Sequence, residues 1–122
     1  MIRLRREEFE ELARRSFLEV PEEIRRELDN LDVVVEEWAS AEVLGEADLE
    51  HSEEVLGLFG GVPKAEWGGD LASLPNVIWL FQRPIEAMCR TKEEVALEVR
   101  KTIFHEVGHY LGMGEGELER MG

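Results

Sequence analysis

Apolar residues first recur at helical spacing in residues 6–16, REEFEELARRS, where Phe9, Leu12 and Ala13 share one face. Val20-Pro21-Glu22-Glu23 restarts a helix with proline in its first turn, and Ile24 and Leu28 give it an apolar stripe. The pattern then changes period. LDVVVEEWA, residues 31–39, has three consecutive valines after Leu31 and predicts a strand buried on both faces near its middle. Residues 39–54 are acidic without a clear period and are expected to form a surface loop. VLGLF (55–59) and NVIWLFQ (76–82) predict two more strands. Gly60-Gly61, Pro63 and Gly68-Gly69 mark turns between them. Pro75 and Pro84 bracket the last strand, which is expected to end near Arg83.

The longest periodic stretch is TKEEVALEVRKTIFHEVGHYLG, residues 91–112. Thr91 with Glu94 makes a capping box, and the first turn carries acids where the helix dipole favours them. Val95, Val99, Thr102, Ile103 and Glu106 keep the helical repeat, and Gly112 is a stop signal. The helix is predicted from about Lys92 to about Leu111. Helices, three strands, then a long helix imply an α+β fold with a small sheet against that last helix.

Length and composition set outer limits. The 122 residues fit a single domain, 1–122, able to bury a core without disulfides. One cysteine, Cys89, rules out an intramolecular disulfide and is expected to be packed and inert. The charged start of the chain does not resemble a signal peptide, and no stretch approaches the length of a membrane span. A cytoplasmic protein is expected. The formal net charge of −14, from 28 acids against 14 bases, disfavours nucleic acid and anionic membranes as partners. It leaves the oligomeric state open.

The candidate chemistry lies in FHEVGHYLGMGEGE, residues 104–117. His105 and His109 are four apart on the predicted helix, with Cβ atoms about 5–6 Å apart on one face. Two imidazoles so placed can converge on one ion at about 2.0–2.1 Å from each nitrogen. Glu106 lies one step round the helix, where it borders such a site and can act as general base towards water. A catalytic zinc ordinarily takes a third protein ligand. Gly112 lets the chain turn sharply out of the helix. Glu115 is then the nearest residue with ligand chemistry, with Glu117 and Glu119 as competitors. The competing explanation is two histidines and a glutamate on a solvated helix face.

At these residues the sequence resembles the small bacterial zincin-like metallopeptidases, or minimal zincins, in which H-E-x-x-H-x-x-G-x-x-[DE] lies near the C-terminus. Here the motif runs from His105 to Glu115. Leu56-Gly57-Leu58-Phe59, Leu74-Pro75-Asn76-Val77-Ile78 and Arg83-Pro84-Ile85 also look like the family, so the likeness spans nearly the whole chain. The resemblance implies a compact α+β domain: a short mixed sheet packed on N-terminal helices, with a long C-terminal active-site helix. It implies one zinc ion held by His105, His109 and Glu115, with Glu106 as base. The family usually has aspartate where this chain has Glu115. Met113 and Met121 are expected to be packing residues.

The function these features suggest is a zinc-dependent metallopeptidase that hydrolyses a peptide or protein substrate with metal-activated water. The strand NVIWLFQ is expected to offer an edge to an extended peptide. Arg83, at its end, is a candidate for holding a substrate carbonyl or carboxylate, against a plain salt bridge. Tyr110 is a candidate oxyanion donor, against simple packing. His51 is expected at the surface. Trp38 and Trp79 are expected in the core or at its rim, and Trp67 beside a groove. The alternative function is a metal-stabilised binding or regulatory module without turnover.

Overall fold

The computed structural model describes residues 2–28, 31–40, 55–60 and 76–112. Helix α1 spans Arg6–Leu18 and a one-turn helix α2 spans Glu22–Arg25. Strands β1 (Leu31–Glu36), β2 (Gly57–Gly60) and β3 (Asn76–Phe81) follow, then α3 (Gln82–Ala87) and the long α4 (Lys92–Leu111). The sheet order is β1-β3-β2. β1 runs parallel to β3, with Val33 opposite Ile78, and β2 runs antiparallel to β3, with Phe59 opposite Ile78. The sheet is therefore mixed and the fold is α+β. No described helix is long and apolar enough to cross a membrane.

Each helix buries the stripe its sequence encodes. Phe9, Leu12 and Ala13 of α1 meet Val95, Val99 and Ile103 of α4 in one hydrophobic cluster, capped by Ile78 and Leu80 of β3. α2 is shorter than its pattern suggested, yet Ile24 and Leu28 are both buried. Cys89 is buried in the same cluster, and burial pushes its thiol pKa up.

Three expectations need correction. β1 is not buried on both faces: Asp32 and Glu36 are exposed, Val33 and Val34 are half-buried, and only Val35 is fully buried. The reason is that Leu31, Val33 and Val35 pack on the core while the alternate positions face away from it. β3, expected to offer a free edge, is instead the central strand, paired on both sides. Its backbone groups are already used and cannot receive a peptide. Finally, β3 ends at Phe81, and Pro84 sits in the first turn of α3. That position needs no N–H from the residue, so proline opens a helix where it was expected only to close a strand. Trp38 is largely exposed and Trp79 half-buried, whereas His51 and Trp67 lie outside the described residues.

β2 approaches α4 closely because Gly57 has no side chain. A Cβ there would sit 2.5 Å from Cγ2 of Thr102 and 3.0 Å from the carbonyl oxygen of Trp79. The Thr102 hydroxyl donates to the Glu98 carbonyl at 2.8 Å, so its methyl is not free to swing away. Gly57→Ala is therefore expected to cost about 1–3 kcal/mol through overpacking. A lowered urea midpoint with an unchanged m-value checks this.

Candidate metal centre

The centre is built on α4, and both ends of that helix are fixed locally. At the N-terminus the Thr91 hydroxyl accepts the Glu94 N–H at 3.1 Å, and the Glu94 carboxylate accepts the Thr91 N–H at 3.2 Å. At the C-terminus Gly112 adopts φ 72°, ψ 23°, the left-handed conformation that lets the chain leave the helix axis. Its N–H donates to the His109 carbonyl at 3.2 Å.

The register of the buried stripe decides the orientation of the motif. Val99, Ile103, Phe104, Val107 and Tyr110 face the core. His105 and His109 fall on the opposite flank and are exposed. Their ring centroids are 4.3 Å apart at an interplanar angle of 62°. The rings are therefore neighbours, open to solvent, and not stacked into an apolar interior. Glu106 sits at the boundary and is buried, only 7% exposed. One potential ligand atom from each of His105, Glu106 and His109 lies within 4.8 Å of the others. Two imidazole nitrogens and a carboxylate are donor types that a zinc site uses.

Glu106 is electrostatically distinct. Burial raises its pKa above the usual glutamate range. The charges of His109 and His105, when protonated, and a backbone hydrogen bond from Phe59 pull the other way. Its Oε1 lies 3.5 Å from Nδ1 of His109. Phe59 belongs to β2, so the close approach at Gly57 also places backbone beside this carboxylate. The sequence points to that link only through the glycine in VLGLF.

The remaining candidates fall elsewhere. Glu115, with its competitors Glu117 and Glu119, lies outside the described residues, as do Met113 and Met121. Arg83 holds Glu86 at 2.7 Å and Glu37 at 3.3 Å, and these carboxylates raise its pKa. Tyr110 is fully buried, its ring tilted against Phe59 with centroids 5.3 Å apart. Both residues occupy the positions that the salt-bridge and packing alternatives describe.

A family model described as a zincin-like metallopeptidase matches residues 28–122. Among solved structures, the chain is similar to a conserved hypothetical protein from T. thermophilus. The two are 28% identical, with 85% of this chain and 91% of that chain covered and a TM-score of 0.56. None of the curated proteins matches.

Proposed function

The chain belongs to the zincin-like metallopeptidase family, and from that premise we propose that it is a zinc-dependent peptidase acting on peptide or protein substrates. The observation that carries this reading is one buried, desolvated carboxylate, Glu106, beside two exposed imidazoles, His105 and His109. In the proposal His105 and His109 hold the ion, and Glu115 is the third ligand. A zinc ion, when bound, supplies Lewis acidity, which acidifies water and polarises a peptide carbonyl. Glu106 takes the proton from the attacking water and later delivers it to the leaving amine. Among the described residues β2 pairs with β3 alone, and it is the edge strand that packs on α4. A substrate backbone is therefore expected to lie along β2.

Elemental analysis tests the reading. The purified chain is expected to carry one zinc ion. His105→Ala and His109→Ala are each expected to lower zinc affinity by more than the roughly 10–100-fold that outer partners of a metal site contribute. A peptide-library digest of the same samples separates the two functional classes. Bound zinc with no cleavage supports the metal-stabilised module, and no bound metal in any preparation overturns both.

A further inference from the structure

A second feature lies at the far edge of the sheet. Between α1 and β1 runs a groove of about 580 Å³, extending the length of the strand. Its floor on the helix side is Ala13, Phe17 and Leu18, the last 49% exposed. On the other side is β1, which among the described residues pairs as a strand with β3 alone. Leu31, Val33 and Val35 pack towards the core, so the alternate positions Asp32, Val34 and Glu36 form the opposite face. We infer that this edge is a binding site for an extended, lysine- or arginine-bearing segment of a partner protein, which adds to the sheet beside β1.

Backbone direction supports the pairing. The Val35 carbonyl accepts Nη1 of Arg6 at 2.7 Å, so it points away from β3. In a parallel-paired edge strand the N–H and C=O of Val33 and Leu31 then point the same way. Arg6 closes the upper end, and in the lower part the outward backbone groups have no partner among the described residues.

Charge selects the occupant. Of the cations at the groove, Arg14 pairs with both carboxylate oxygens of Glu11, at 2.9 and 2.6 Å, whereas Arg6 donates to the neutral Val35 carbonyl and keeps its charge at the upper end. The acids Glu10, Asp32 and Glu36 make no ion pair among the described residues. The groove therefore has an apolar floor and a rim on which the acids Glu10, Asp32 and Glu36 outnumber the cations Arg6 and Arg14. An added strand with basic side chains beside Asp32 and Glu36, and apolar ones over Phe17 and Leu18, meets both. Residues 41–54 of the chain itself are acidic and contain no lysine or arginine, so they are a poor match. A second copy laid antiparallel on the same edge would set two Asp32–Glu36 rows side by side. The net charge of −14 adds to that repulsion.

The test uses the full chain and an acetylated, amidated Lys-Val-Lys-Val-Lys-Val peptide, titrated calorimetrically at low and high salt. Binding is expected to be at least about tenfold tighter than for a Glu-Val peptide or for an isomer with its lysines in one block, and to weaken with salt. Asp32→Lys with Glu36→Lys, both at exposed positions, is expected to weaken it about tenfold while leaving zinc content unchanged. Hydrogen exchange at the Val33 amide is expected to be fast in the free chain and to slow on binding. No binding, or equal binding of the blocked isomer, overturns the proposal. A Val33 amide already protected in the free chain assigns the edge to the chain's own residues. Sedimentation showing dimers that the charge reversal abolishes assigns it to a second copy. Either result overturns it as well.

Discussion

Glu106→Gln is expected to lower kcat/KM for peptide hydrolysis by roughly 10²–10⁴-fold, the range of a positioned general base, while zinc stays bound. The substitution keeps size and shape but removes the ability to accept a proton. Because His105 and His109 are untouched and exposed on the outer flank of α4, metal uptake should be unaffected. Loss of zinc in the variant would instead make Glu106 a ligand, which its spacing to the two imidazoles also permits. Undiminished cleavage would move the base elsewhere.

The same variant has a signature that does not depend on turnover. In the metal-free chain, burial raises the pKa of Glu106 above the ordinary glutamate value of 4.5. A carboxyl group more easily protonated in the folded state than in the unfolded state favours folding at low pH. That contribution is fully present below pH 4.5 and is lost as pH rises through the folded-state pKa. At neutral pH the folded chain therefore bears the cost of a desolvated charge, which glutamine lacks. Metal-free Glu106→Gln is expected to be more stable than the parent at neutral pH, with the difference closing as pH falls below 4.5. Denaturation curves at both pH values check the sign.

Local patterns were legible because their partners are neighbours in sequence. Thr91 and Glu94 cap α4 as their three-residue spacing predicts, and Gly112 takes the left-handed conformation that ends it. His105 and His109 come together because a helix brings residues four apart onto one face. Sheet order was not legible. Nothing within NVIWLFQ states that β1 lies on one side of it and β2 on the other. The triple valine of β1 fits a central strand as well as an edge one, and only the pairing decides. Glu86 is the plainest omission. In QRPIEAM it reads as one more surface acid, yet it is fully buried, and the backbone N–H it accepts comes from Leu4, 82 residues away.

That buried carboxylate carries the largest expected effect on stability. Glu86 Oε2 accepts the Leu4 N–H at 2.8 Å and the Gln82 amide at 3.0 Å, and Oε1 accepts Arg83 Nη1 at 2.7 Å. Gln82 also donates to the Leu4 carbonyl at 2.9 Å. One side chain thus ties the segment before α1 to the start of α3. Through Arg83 and Glu37 the tie extends to the end of β1. Truncation leaves the buried Leu4 N–H and one of the two Gln82 amide hydrogens without an acceptor, and a guanidinium with half its counter-charge. Glu86→Ala is expected to cost about 3–5 kcal/mol, the range for removing one partner of a buried ion pair. That is a large share of the roughly 5–15 kcal/mol typical of a domain. Arg83→Ala should cost less, because Leu4 and Gln82 still satisfy Glu86. A double-mutant cycle on the pair is expected to give a coupling of about 0.5–3 kcal/mol. Additive single effects in urea denaturation would mean that the Leu4 and Gln82 bonds, and not the ion pair, hold this junction.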